Sequence, residues 1–415
     1  VLQLRWSLLL AFSCSLCAAQ TALTIQQLEA SARRRLAVRD ANGALADYEQ
    51  LAQLAPASAG YQDEIGFLLA ATNRASAAIP HFKRATELDP RLAQAWYHLG
   101  VALWLTQQPD AAIRGLQKAV ALAPGHADYR FRLASAYNDT GRSAEAIPEL
   151  QRAAQQLPTN AAVWEALGLA FERLRRFREA RDAYRRGLDL DPKNNSVRNS
   201  YGYVLVNSND PAAGLKEFRK ILAEDPDNVR VQVNVGYAYI GAGDFKAAIQ
   251  QLLQVVRAHP DAADAHYDLG VAYKESDDLP QAKSELLQAV KLAPALAEAH
   301  YVLATTYVDS GEPDKAIAQL RAAVHQRPQY ADAWFELGTL LKQQGDTDGA
   351  IDALRHSVAL DDQDAGAFNT LGLLLRRKGD SQAAQQAFAK AAALRQTEEQ
   401  EKEKKLHEGL ARTSK

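Results

Sequence analysis

Cysteine is nearly absent. The chain holds two in 415 residues, Cys14 and Cys17, both within the first nineteen positions. Their C-x-x-C spacing sits inside an apolar leader, which removes the redox and metal readings that the spacing otherwise invites. Ala18 also stands where a haem-attachment motif needs histidine. Downstream of the leader no thiol remains, which suits an oxidising compartment without calling on disulfides. A surplus of one charge is lacking too: 48 basic against 50 acidic residues leave a formal net charge of −2, so no nucleic-acid footprint is visible. No phosphate-binding or dinucleotide-type glycine loop occurs, no His-Glu-x-x-His and no Gly-x-Ser-x-Gly. The sequence therefore predicts neither an enzyme nor a cofactor or metal site.

Long hydrophobic runs are missing as well. Arg5 precedes an apolar stretch over residues 7–19 that ends in Cys17-Ala18-Ala19. At about 13 residues it falls short of the roughly 20 needed to span a bilayer. The pattern reads as an export signal, residues 1–19, cleaved near Ala19, which would place the remainder in the periplasm, on the envelope or outside the cell with no membrane span. A retained anchor and a lipidated Cys14 are the alternatives, although Phe12 and Ala11 fit poorly before a lipidation site.

What the chain does have is a period. Glycine or alanine recurs every 34 residues at Ala32, Gly66, Gly100, Ala134, Gly168, Gly202, Gly236, Gly270, Ala304, Gly338 and Gly372, and proline follows 24 residues later from Pro56 to Pro328, with only Asp362 breaking the column. With the small residue numbered 8, the repeats begin at Ile25, Ala59, Ala93, Ala127, Ala161, Asn195, Val229, Ala263, Ala297, Ala331 and Ala365. Large apolar or aromatic residues at positions 4, 7 and 11, as in Trp164, Leu167 and Phe171, make one helical stripe; positions 20, 24 and 27, as in Ala180, Tyr184 and Gly187, make a second. Position 15 is Gly, Asn or Asp in eight of eleven repeats, residues that accept a left-handed backbone, so the chain turns there. The proline at position 32 ends the second helix. Each repeat is a helical hairpin too small to be stable alone, and stability must come from stacking. Trp164→Ala is expected to cost roughly 3–5 kcal/mol and a large residue at Gly168 roughly 1–3 kcal/mol.

These columns resemble the tetratricopeptide repeat, and Trp96-Tyr97-His98-Leu99-Gly100 matches its signature closely. The resemblance covers residues 25–398 and implies an all-α, right-handed superhelical solenoid of about eleven repeats. Its groove, lined by the first helix of each hairpin, would hold an extended segment or a helix of another protein. The first repeat carries Ser31 and Arg35 where core residues belong and reads as a polar cap. Residues 399–415 alternate acids and bases and read as a solvated helical extension.

In such a superhelix positions 2, 5, 6, 9, 12 and 13 face inward. They place Tyr97, Phe131, Tyr267, Tyr301 and Phe335 at position 5, Tyr203 and Tyr237 at position 9, and Trp104 at position 12. Aromatic rings anchor binding surfaces at low entropic cost, although an aromatic at position 5 is common in this repeat whatever it binds. Upstream the inward charges are mixed, with Arg132, Arg173 and Arg230 beside Glu64, Asp128 and Glu165. The repeats from Ala263, Ala297 and Ala331 set Asp264, Asp268, Glu275, Glu298, Asp309, Asp332 and Glu336 against only Lys274 and Lys342. A basic segment docking over aromatic rings is the sharp expectation, and acids that merely keep the surface soluble are its alternative. His266 and His300, one repeat apart at position 4, invite a metal reading, but seam histidines held by hydrogen bonds explain them more simply. The carboxylate clamp and the asparagine ladder of some tetratricopeptide repeats are missing. The function expected is thus a non-catalytic protein-interaction scaffold, with a self-assembling envelope-organising protein as the alternative and an enzyme or carbohydrate binder, supported by the aromatic groove alone, as a third; the oligomeric state is left open.

Overall fold

The computed structural model describes the backbone of residues 2–413 and the side chains of residues 20–403. The proposed signal, with Cys14 and Cys17, therefore lies outside the described side chains, as does most of the charged extension. Among the described residues no helix is long and apolar enough to cross a membrane.

The chain divides into two compact units, residues 1–208 and 209–415, the boundary falling between the two helices of the sixth repeat. The first unit contains α1 (Leu2–Ala37), α2 (Ala41–Leu54), α3 (Ala59–Ala71), α4 (Ala75–Leu88), α5 (Ala93–Leu105), α6 (Pro109–Leu122), α7 (Ala127–Asp139), α8 (Ser143–Gln156), α9 (Ala161–Arg173), α10 (Phe177–Leu190) and α11 (Asn195–Asn207). The second contains α12 (Pro211–Glu224), α13 (Val229–Gly241), α14 (Phe245–Ala258), α15 (Ala263–Glu275), α16 (Leu279–Leu292), α17 (Ala297–Asp309), α18 (Pro313–Gln326), α19 (Ala331–Gln344), α20 (Thr347–Leu360), α21 (Ala365–Lys378) and α22 (Ser381–Thr413). From α3 onward each odd-numbered helix begins on the first residue of a repeat. The first repeat differs, because α1 runs unbroken through Ile25: no Pro or Gly interrupts residues 20–30.

Within each unit the odd-numbered helices, here called A helices, pack on the B helices next to them in the chain, as α9 does on α8 and α10 and α15 on α14 and α16. The small residue at position 8 makes the hairpin crossing close. A Cβ on Gly168 would lie 2.5 Å from the Tyr184 ring, and one on Gly236 2.5 Å from Leu252, both at position 24. Within each unit A helices also touch A helices, α3 with α5 and α7 with α9 in the first, α13 with α15 and α15 with α17 in the second, which makes the A row the inner one.

Position 15 is left-handed in every repeat, including Arg39, Gln107 and Arg175, whose side chains gain nothing from that region. The turn is set by the packing of the two helices, and the eight Gly, Asn and Asp residues relieve it locally. Acidic caps reinforce the start of several B helices: Asp40, Asp210, Asp244, Asp278 and Asp346 each accept a bond from the backbone N–H three residues on.

Position 4 corrects the apolar reading. Most of its residues, Leu28, Gln62 and Phe368 excepted, donate a side-chain N–H to the carbonyl of the proline six residues earlier, at 3.0 Å from Trp96 to Pro90, 3.0 Å from Trp164 to Pro158, 2.7 Å from Gln232 to Pro226 and 2.8 Å from Trp334 to Pro328. Arg130 does the same to Pro124. The column selects a donor that reaches back to the turn, which is why Trp, Arg, Gln and His all serve. The other side of the residue meets position 23. Where position 4 is Trp, position 23 is Gly115, Ala183 or Ala353; where it is Arg130, His266 or His300, position 23 supplies Glu149, Glu285 or Gln319 as a polar partner. In the first repeat the half-buried Arg35 at position 11 pairs with the buried Asp47 at 3.3 Å, a polar substitute for an apolar contact.

Candidate functional site

The inward positions of the first unit are half-buried, and several of their rings are already engaged. Tyr97 stacks on Tyr129 at 4.5 Å and 20°, and His126 stacks on the same ring at 3.8 Å. Trp104, Phe131 and Tyr203 pack partly against the core. Tyr97 and His98 also line an apolar cleft of about 220 Å³ with Phe67, Val101 and Leu105, where Phe67 and Leu105 are 46% and 60% exposed. These last two were not among the expected site residues. They occupy positions 9 and 13 of their repeats, Phe67 in the same column as Tyr203 and Tyr237, so the columns were legible in the sequence. His98 is held by Asp63 at 2.9 Å.

The second unit gathers the acidic residues. Asp264 and Asp332 are exposed, Tyr237, Tyr267, Glu298, Tyr301, Phe335 and Glu336 are half-buried, and Asp268 is 8% exposed. The acidity is smaller than the sequence tally, because two carboxylates are neutralised: Asp309 pairs with Lys274 at 3.0 Å, and Glu298 pairs with Arg327. Arg327 lies beyond the end of α18, outside the inward positions, and its guanidinium also covers the Tyr330 ring at 5.0 Å. Tyr330 in turn meets Tyr301 at 5.0 Å. Neither Arg327 nor Tyr330 was expected, since both belong to the turn between repeats, which the helix columns do not sample.

What remains is a set of carboxylates without cations. Burial, and then the neighbouring Asp264, push the Asp268 carboxyl up to about 8. Burial and Asp332 raise Glu336 above the usual carboxylate range. Tyr267 is pushed above the ordinary phenol value by burial and then by Asp268, with Tyr330, Glu298 and Tyr237 adding to the effect. Tyr301 is raised by burial, Glu336 and Asp332. Hydroxyls and carboxyls on this face thus crowd one another with negative potential, and a cation arriving there is favoured.

His266 and His300 have both ring nitrogens occupied. His266 meets Glu285 at 2.6 Å and the Pro260 carbonyl at 3.1 Å; His300 meets Gln319 at 2.7 Å and the Pro294 carbonyl at 3.1 Å. They are seam residues of the position-4 column.

Stacked helical hairpins with a small residue at every crossing define an all-α repeat solenoid. Tetratricopeptide-repeat models match residues 64–125 and 301–365, 106–170 and 239–306, and 365–398, and the model of the cytochrome c-type biogenesis protein H TPR domain matches residues 148–267. The chain belongs to the tetratricopeptide repeat family. A tetratricopeptide repeat protein from Parabacteroides merdae shares the fold, with a TM-score of 0.56 at 13% identity over 60% of this chain and 98% of that one. The crystal structure of MamA is 28% identical over 40% of this chain and 97% of its own, with a TM-score of 0.38. That of YrrB, described as a TPR protein with an unusual peptide-binding site, is 22% identical over 43% of this chain and 91% of its own, also with a TM-score of 0.38. No curated protein matches the chain.

Proposed function

We propose that the protein is an exported, non-catalytic scaffold that holds a basic segment of another protein on the A-helix face of its second unit. The observation that carries this reading is the group of unpaired carboxylates, Asp264, Asp268, Asp332 and Glu336, set beside Tyr267 and Tyr301. Opposite charge on a partner would raise its association rate and fix its register, and the rings would supply contact area. The apolar cleft at Phe67 and Leu105 in the first unit offers room for one aliphatic side chain and no charge preference.

The exposed acids provide the cleanest test. The Asp264→Lys, Asp332→Lys double variant reverses charge without touching a packed side chain, so its folding should match wild type by circular dichroism. A partner captured from a cell-envelope extract by the wild type should be lost from this variant, and a basic peptide of that partner should bind the wild type directly. Equal capture by both proteins would reject the second-unit face. A second reading, self-assembly through the ends, is favoured by the exposed Leu23 and Val38 at the first hairpin; sedimentation that gives one mass over a hundredfold range of concentration would exclude it. Export is tested by fractionating cells that express the full chain and sequencing the N-terminus of the product.

A further inference from the structure

Asp268 stands apart from every other acid on its face. It is more than nine-tenths buried, yet no hydrogen bond and no ion pair reaches its carboxylate among the described residues. Comparable acids are provided for: Asp63 in the first unit has His98, Glu298 has Arg327, and Asp309 has Lys274. The two cations nearest in the repeat pattern, Lys274 and Arg327, are thus committed elsewhere. An unpaired charge so placed would be costly, so at neutral pH the group holds its proton, and an arriving cation takes the place of that proton. One turn earlier on the same helix face lies the exposed Asp264, so a segment reaching Asp268 along this face of α15 passes it. The groups that face this route are Asp264 and Tyr267 on α15, Tyr237 on α13, Glu298 on α17 and Tyr330 ahead of α19; Arg327, held on Glu298, is the one cation among them.

Building on the reading that this face receives a basic segment, we propose that Asp268 is the anchor of the site, a socket that accepts the ammonium of a lysine side chain inserted past Asp264 and alongside Tyr267. With only 8% of Asp268 exposed, little of its carboxyl group can be reached, which favours the compact ammonium on its slender aliphatic stem over a planar guanidinium that pairs through a bidentate fork. The ammonium supplies the charge that the fold leaves out. The rim acids bring the segment to the surface, and Asp268 fixes which residue enters.

The test uses the full chain and three fluorescein-labelled octapeptides in which threonine alternates with lysine, with arginine or with ε-acetyllysine, followed by fluorescence anisotropy. The lysine peptide should bind the wild type, and at least about tenfold more tightly than the arginine and acetyllysine peptides. Asp268→Asn, which preserves shape, should weaken lysine-peptide binding by about 30-fold or more, as expected when one member of a desolvated charge pair is removed. Asp264→Asn should weaken all basic peptides by a smaller and similar factor. Thermal unfolding of Asp268→Asn at or above the wild-type temperature shows that the loss is not one of folding. Lysine-peptide binding that ignores Asp268→Asn but falls with Asp264→Asn would overturn the socket and leave the acidic face standing. Arginine-peptide binding equal to or tighter than lysine would overturn the ammonium assignment. Failure of every basic peptide to bind the wild type would remove the basic-segment reading and the socket with it.

Discussion

Asp268 has a consequence for stability that needs no ligand. Its carboxyl is raised from 3.8 to about 8 by burial and by Asp264, so between those values the folded chain holds a proton that the unfolded chain has released. Stability is therefore full below pH 4, falls as the pH rises toward 8, and levels off above it. A difference of about four units at about 1.4 kcal/mol each gives a loss of about 6 kcal/mol across that window. Asp268→Asn has the same shape and no such proton. The gap between variant and wild type should accordingly widen by about 6 kcal/mol in favour of the variant between pH 4 and pH 9. Stability in a repeat stack is partly local, so the measurement should be local as well: hydrogen exchange of the α15 amides, read by mass spectrometry at fixed pH values after correction for intrinsic exchange rates. A gap that stays constant between pH 5 and pH 9, or a wild type that outlasts the variant at high pH, would mean that Asp268 is solvated or paired. The premise of the ammonium socket would fail with it.

Three further outcomes follow from the repeat geometry. Gly168→Ala should destabilise by about 1–3 kcal/mol despite the better helix propensity of alanine, because the new Cβ meets the fully buried Tyr184 ring at 2.5 Å; a urea midpoint at or above wild type would refute the close crossing. Trp164 is only half-buried, so Trp164→Phe should cost about 1 kcal/mol, chiefly the lost bond to the Pro158 carbonyl, and Trp164→Ala less than a fully buried tryptophan would. Equal stability of the Trp and Phe proteins would show that the donor is idle. Gln107→Gly should stabilise by about 0.5–1 kcal/mol, since Gln107 holds φ at 59° with an exposed side chain; the strain of a left-handed residue exceeds the entropy that glycine adds to the unfolded chain. A lowered melting temperature would contradict this.

The 34-residue period was enough to place the hairpins, and the A helices from α3 onward begin where the register of small residues and prolines puts them. That much is legible because it rests on local chemistry: apolar spacing selects helix, proline and left-handed residues end it, and a missing Cβ permits a close crossing. The binding-face columns were readable by the same register, which is how Asp268 and Tyr267 came into view. Their states were not. An acid at position 6 looks the same in sequence whether a cation covers it or not. Only the packed structure shows Glu298 taken by Arg327 from the turn between repeats, Asp309 taken by Lys274, and Asp268 left alone.

Position 4 shows the same division. The sequence presents Trp, Arg, Gln and His as an irregular column, and the apolar members dominate the impression. Their common property, an N–H that reaches the proline carbonyl six residues earlier, exists only once the turn has brought that carbonyl into range. The left-handed φ at Arg39, Gln107 and Arg175 was likewise decided by the two helices packing on each other, which forces the turn even where the residue opposes it. Sequence by itself determined the period, the helices and the residues presented on each face, because these follow from preferences of neighbouring residues. Tertiary structure decided which charges are cancelled and which polar groups find partners, because burial and pairing depend on residues that the sequence places far apart.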